Sequence, residues 1–349
     1  MTLDYRILGL SEIDENYWQQ QLQPILYEHS VAWLRATDKF VVDNQCKLHS
    51  LWQNDELIAA LPLCEQLCAI GTKKLVNLTS FYSTETCVLT HKKHPEAAQT
   101  LLELIANNNP WHVIELGPLS FASQQLVLTL NKPIQPIAKQ VNWFHEKIES
   151  EESYLSSRPS QLKNTIKRKN KQLAKLQHEY QFAQTDADLD RMFDDYITIY
   201  NKSWKGQEFS FDFIKQVCKD ALAQNKLCFG LLTINESPAA AQIWFIGERC
   251  ASIFKLAYDP EFKSLSVGTL LSEQMTKYVL SHHNVTHIEF GMGNEAYKKD
   301  WMNEYQVRQT YLIFNTMTVL GMIFWLRFSA LVKVKHAIKG LLGNNKNGK

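Results

Sequence analysis

Apolar positions recur along the chain with two periods, two and three-to-four, and the switch between them marks its elements. The stretch 227–301 is the most legible. Two apolar runs flank Asn235, Glu236, Ser237 and Pro238, which predicts a β-hairpin, and 250–262 predicts a third strand. Ser266, Val267, Gly268 and Thr269 then precede Leu270, Leu271, Met275 and Val279, apolar residues at helical spacing. A further strand begins near Thr286, followed by a loop rich in glycine and aromatics up to Trp301.

The first half repeats this layout loosely. Residues 47–63 split at Gln53, Asn54, Asp55 and Glu56 into a second hairpin, and 75–89 reads as strands around a polar loop at 80–85. Residues 95–106 predict an amphipathic helix ended by Asn107, Asn108 and Asn109, and 111–117 a strand. Leu101-Leu102 before His112–Gly117 parallels Leu270-Leu271 before His287–Gly291, so one αβ unit in each half is expected. Ahead of these, 13–36 carries Trp18, Leu22, Ile25, Leu26 and Trp33 at helical spacing, for one or two helices.

The charged, serine-rich segment 146–160 ends in Pro159 and Ser160 and reads as the boundary between the halves. Beyond it, 161–176 predicts a helix with Leu162, Ile166, Leu173 and Leu176 inward. Its outer face carries Lys163, Lys167, Arg168, Lys169, Lys171 and Lys175. Residues 188–204 predict another helix. The tail 316–342 has apolar residues at helical spacing with Arg327, Lys333, Lys335 and Lys339 among them, and 344–349 is expected to fray. Three parts follow: 1–149, 150–315 and the tail 316–349.

Composition narrows the partners. With 45% hydrophobic and 21% charged residues and a net charge of +1, the chain is an ordinary globular one without a global field for nucleic acid. Seven scattered cysteines contain no CxxC pair, which disfavours a disulfide framework or zinc site and suits a reducing cytoplasm. The first residues lack the pattern of a signal peptide. The uncharged run 311–326 falls short of the ~20 apolar residues a spanning helix needs, so no integral membrane segment is expected.

The small-residue run 266–269 matters because a helix start leaves backbone N–H groups unpaired, and the helix dipole favours an anion there. Lys263 to Gly268 resembles a degenerate pyrophosphate loop of GNAT acyltransferases, Gln/Arg-x-x-Gly-x-Gly/Ala. Lys263 stands at the Gln/Arg position and Ser266 at the first Gly. Three segments in order strengthen the likeness: Ala257-Tyr258-Asp259-Pro260, 266–271, and Phe290-Gly291-Met292-Gly293 with Tyr297, Lys298 and Trp301. Together they resemble GNAT-type acetyltransferases of the cellulose and exopolysaccharide biosynthesis (CelD-like) family, related in fold to the Fem peptidyl transferases. The likeness runs from about 154 to 311.

That resemblance implies an α/β (α+β) fold of tandem GNAT-like domains, each a mixed twisted sheet flanked by helices. It implies acyl-CoA, with acetyl-CoA first, as co-substrate in the second half. The first half, with bulky Thr90–Pro95 ahead of its helix, would shape the acceptor site. The coenzyme phosphates would sit on Ser266, Val267, Gly268 and Thr269 with Lys263 adding charge; an N-capped helix without ligand fits the same residues. Tyr297 is the candidate acid for the leaving thiolate, against a packing role. Glu289, an acidic residue in an apolar strand, is the candidate base, raised towards neutrality by burial; the other reading puts it on a solvated face. Trp204, Lys255, Lys298 and Trp301 are candidate substrate contacts. The competing readings are a core position for Trp204 and a snorkelling edge for Lys255.

The acceptor would be an amine or hydroxyl on a small molecule or saccharide. A Fem-like transferase drawing on charged tRNA, through the basic helix 161–176, is the alternative, and a non-catalytic scaffold a third. The tail packs on the domain or, in the sharper reading, makes peripheral contact with the inner membrane face. His91 with His94, and His282 with His283, lack a third ligand nearby, so no metal is expected.

Overall fold

The structure is a computed structural model that describes residues 3–344 except 44, 69–70 and 108–110; side chains of 332–344 lie outside that description. Asn108, Asn109, the side chains of Lys333, Lys335 and Lys339, and the tail end 345–349 are therefore outside the described residues.

Thirteen strands are described: β1 Leu3–Leu8, β2 Cys46–Gln53, β3 Glu56–Cys68, β4 Thr72–Asn77, β5 Leu89–Thr90, β6 Val113–Leu119, β7 Ile134–His145, β8 His178–Phe182, β9 Leu227–Ile234, β10 Ser237–Ile246, β11 Cys250–Tyr258, β12 His287–Met292 and β13 Glu304–Phe314. The first-half helices are α1 Glu15–Leu22, α2 Val31–Phe40, α3 Ala97–Asn107 and α4 Phe121–Leu128. The rest are α5 Glu151–Ser156, α6 Ser160–Leu173, α7 Asp186–Lys202, α8 Phe211–Ala223, α9 Val267–His282, α10 Lys298–Trp301 and α11 Val319–Asn344. The fold is mixed α/β, a large twisted mixed sheet flanked by helices.

Both expected hairpins form, and by the same device. Asn54 and Asp55 at the β2–β3 turn have φ of 49° and 62°, and Asn235 and Glu236 at the β9–β10 turn have 49° and 65°. Two consecutive left-handed residues match the twist of the flanking strands, and asparagine tolerates that conformation well.

The sheet order is β1-β2-β3-β4-β6-β13-β7-β12-β11-β10-β9-β8, with β5 paired to β3. Counted inward from either edge, the two halves have the same plan. Antiparallel strands lead to β4 or β11, a helix crosses over, and a parallel partner follows, β6 beside β4 and β12 beside β11. The repeat is therefore structural. Its centre is an exchange: β13, the last strand, pairs with first-half β6, while β7 pairs with second-half β12. β13 and β7 then pair antiparallel with each other.

Helix α9 buries Leu270, Leu271, Met275 and Val279 on the sheet, each worth roughly 1.5–3 kcal/mol when removed from water. On the opposite face α7 and α8 enclose Phe193, Tyr196, Phe213 and Phe229, together with Tyr27 and Trp33 from the first half. Sequence patterning missed β1, β8, α8 and the exchanged β7 and β13, whose pairing partners are remote in the chain. The tail is helical, yet its apolar side does not simply pack inward: Val319, Met322, Ile323 and Leu326 are exposed.

Candidate active site

β11 and β12 pair only from Cys250–Ser252 against His287–Glu289; beyond that they part. Gly291 and Gly293, at φ of 61° and 117°, take backbone conformations that side chains resist and steer β12 away. Between the diverging strands and α9 lies a cleft of about 290 Å³, lined among others by Trp204, Lys205, Tyr258, Gly268, Thr269 and Tyr297.

The start of α9 faces this cleft through Gly268 and Thr269. Asp259 accepts from Glu261 N at 3.0 Å and from Lys202 Nζ at 2.8 Å, fixing the turn Pro260–Leu265. Ser266 follows in the left-handed region (φ 54°) and begins the helix without a side-chain cap, so the capped-helix reading does not hold. Ser266 N bonds Lys263 O and Leu270 N bonds Ser266 O, while no hydrogen bond from the amides of Val267, Gly268 or Thr269 is found among the described residues. The amides of Gly268 and Thr269, which line the cleft at the positive end of the helix dipole, thus stand ready for an anion, while Val267 is fully buried beneath them. Gln242 holds the turn in place, donating to Gly268 O at 3.0 Å and Ser272 Oγ at 2.8 Å. Lys263 is exposed on the preceding turn.

At the equivalent place in the first half, β4 and β6 also part, but the gap is crossed by chain. Thr86 N donates to Pro118 O at 2.6 Å, Ser120 N donates to Thr86 O at 3.0 Å, and Asn77 Nδ2 donates to Thr86 Oγ1 at 2.6 Å. The open cleft therefore belongs to the second half.

Tyr297 lines the cleft, 46% exposed, its ring edge-on to Phe290 at 5.4 Å. Burial, then Glu295, pushes its hydroxyl up to about 12, so it carries its proton at neutral pH. Trp204 is 63% exposed and leans on Tyr258 at 4.6 Å, so it is a surface ring at the cleft and not a core residue. Trp301 is buried at the cleft floor. Lys298 is buried beside it, donating to Met292 O at 2.6 Å and paired with Glu295 at 3.0 Å.

Glu289 differs from both sequence readings. It is buried, and its oxygens meet Arg308 Nη2 at 3.0 Å, Ser252 Oγ at 3.0 Å and Asn142 Nδ2 at 3.3 Å. Burial alone would raise its pKa, but the charges of Arg308 and His287 and the hydrogen bonds outweigh it and hold the carboxyl below its usual range. Arg308 also reaches Glu85 at 2.8 Å. Glu28, raised to about 8 by burial and by Glu289, receives the amides of Thr84 and Glu85 at 2.8 Å each. This charge cluster sits where β11 and β12 separate. Beside it the donor atoms of His29, Glu85 and Cys87 lie within 4.8 Å of one another. Glu85 is already engaged by Arg308, and Cys87 Sγ is 3.5 Å from His29 Nδ1.

Lys255 is a buried ion pair and not a snorkelling edge residue: its Nζ is 2.7 Å from Glu208, which also accepts from Tyr82 OH at 2.8 Å. The pair joins the loop after α7 to the first-half loop carrying Phe81 and Tyr82. Lys205, next to Trp204, was not singled out by the sequence. Its Nζ donates to Leu256 O at 2.5 Å, and burial, then Lys255, lowers it to about 8. Its neighbours in the sequence give no signal beyond its place next to Trp204. Arg308 gave a clearer one, a charge within the otherwise uncharged run 305–314.

Residues 160–299 match the model of an acetyltransferase (GNAT) domain. No curated protein sequence matches the chain. Among solved structures, FemX is similar at 9% identity and a TM-score of 0.63, covering 90% of this chain and 98% of that one. The C-terminal domain of a putative lysylphosphatidylglycerol synthetase from Agrobacterium fabrum is similar at 8% identity and a TM-score of 0.55, covering 90% and 96%. The L-PGS of Bacillus licheniformis follows at 10% identity and 0.54, covering 89% and 94%. At these identities the likeness is one of fold.

Proposed function

We propose that this protein is a GNAT-type acyltransferase that moves an acyl group, acetyl in the first instance, from acyl-CoA to an amine or hydroxyl acceptor. A sugar or polysaccharide precursor of the cell envelope is the acceptor class suggested by the CelD-like motifs. The single observation that carries this reading is the open cleft against the uncapped start of α9. A diphosphate would accept from the amides of Gly268 and Thr269, and the acyl arm would run between the parted strands. Attack is direct: the acceptor's nitrogen or oxygen bonds to the thioester carbonyl carbon, the C–S bond breaks, and the thiolate takes a proton. Tyr297 supplies that proton. Lys205, neutral above a pH of about 8, takes the proton from the acceptor. Glu289, ionised and fully engaged by Arg308, Ser252 and Asn142, positions the strands and transfers no proton. Lys255 and Trp204 border the acceptor side, where the first-half loop approaches.

Two kinetic results are expected. Tyr297→Phe lowers kcat by about a hundredfold while acetyl-CoA affinity, measured by calorimetry, stays within about twofold. The wild-type rate rises as pH passes upward through about 8, because the neutral form of Lys205 is then populated, and Lys205→Met flattens that limb.

A second reading, transfer from charged tRNA, draws on the FemX-like fold and on α6. The helix exposes Lys163, Lys167, Arg168 and Lys171, and Lys169 Nζ donates to Ser264 O just ahead of α9. Calorimetric titration with acetyl-CoA and with charged tRNA, at about 50 and 200 mM salt, separates the two. Micromolar acetyl-CoA binding supports the acyl-CoA reading. Binding of charged tRNA alone, weakening steeply with salt, would replace it.

A further inference from the structure

Helix α11 presents its apolar residues to solvent. Leu320, Phe324 and Phe328 are half-buried, with Phe328 5.9 Å from Phe314 of β13. On the other side Val319, Met322, Ile323, Leu326 and Ala330 are exposed, at the three- and four-residue spacing of one helix face. Val319 is 78% exposed and Leu326 54%. A helix apolar on both faces is stable only when something apolar covers the outer one, and contiguous exposed patches of this kind mark an interaction surface.

Charge identifies the cover. Residues 316–349 contain Arg327, Lys333, Lys335, Lys339, Lys346 and Lys349 and no Asp or Glu. Six positive charges there, against +1 for the whole chain, leave the remaining 315 residues at −5. An exposed apolar face on a segment of purely positive charge complements a layer with an apolar interior and an anionic surface. A second copy of the chain would bring the same +6 against itself. No described helix is long and apolar enough to cross a membrane.

We propose that the outer face of α11 lies on an anionic lipid surface, with Val319, Met322, Ile323 and Leu326 inserted among the acyl chains and the basic residues of the tail against the headgroups. This docking is independent of the cleft's activity. It would hold the enzyme beside acceptors that are themselves bound to the membrane.

The test is co-sedimentation of the full chain with vesicles of phosphatidylcholine alone and of phosphatidylcholine with phosphatidylglycerol. The expected result is binding to the anionic vesicles at least about tenfold tighter than to neutral ones, reduced by about 0.5 M salt. Ile323→Glu/Leu326→Glu, both on the exposed face, should lose that binding at least about tenfold while keeping the wild-type melting temperature and acetyl-CoA affinity. Wild-type protein that stays in the supernatant with both vesicle types overturns the proposal. So does a stable dimer in light scattering that the double variant converts to monomer, because the cover is then a second copy.

Discussion

Gly268→Trp weakens acetyl-CoA binding at least about a hundredfold, or ~2.7 kcal/mol, and leaves the fold intact. Gly268 sits in the first turn of α9, and a Cβ there meets only Tyr258 Cδ1, at 3.4 Å. Its backbone is helical, so a side chain adds no strain; an indole instead occupies the space in front of the unpaired amides of Gly268 and Thr269. Calorimetry against acetyl-CoA checks the affinity, and circular dichroism with a thermal melt checks the fold. Gly268→Ala is the companion, expected to lose far less because a methyl group leaves most of the cleft open. Equal loss in both variants would place the diphosphate elsewhere.

Arg308→Met destabilises the protein by about 3–5 kcal/mol, the cost of leaving buried carboxylates without their counter-charge. Arg308 is 1% exposed and serves Glu289 at 3.0 Å and Glu85 at 2.8 Å. Burial already holds Glu85 above its unfolded value despite Arg308; without the arginine it raises Glu85 further and lifts Glu289 above its own unfolded value as well. Their contribution to stability is then full below about pH 4.5 and is lost as pH rises through the raised values. The deficit, measured by urea unfolding, is therefore largest at pH 8 and shrinks on acidification. A deficit independent of pH would mean that the residue contributes packing alone. Because the cluster joins β12 and β13 to the first-half loop at 84–85, the same variant should also lower acyl transfer more than its stability loss accounts for.

Local chemistry was legible in the sequence. The Asn54-Asp55 and Asn235-Glu236 turns, the spacing of Leu270, Leu271, Met275 and Val279, and the small residues at 266–269 each depend on neighbours within a few positions, and the structure places them as expected. What the sequence hid depends on distant partners. The exchange of β7 and β13 is fixed by pairing across more than a hundred residues, which no local period encodes. Taken alone, Glu289 reads as a carboxyl either raised by burial or solvated, and Lys255 as a lysine either contacting substrate or snorkelling. Both instead have counter-charges, Arg308 and Glu208, brought in by the fold. Lys205 carries no local signal, because a lysine beside a surface tryptophan is ordinary until burial and Lys255 lower its proton affinity. The tail helix was recognised, but which of its apolar faces would be left uncovered is decided by how β13 presents Phe314.

The central claim is that the amides of Gly268 and Thr269 are free and receive the coenzyme diphosphate. Hydrogen exchange of those amides, followed by mass spectrometry or NMR with and without saturating CoA, measures this directly. Strong added protection confined to the start of α9 is the predicted result. Binding of CoA with exchange at these two amides unchanged would contradict the account.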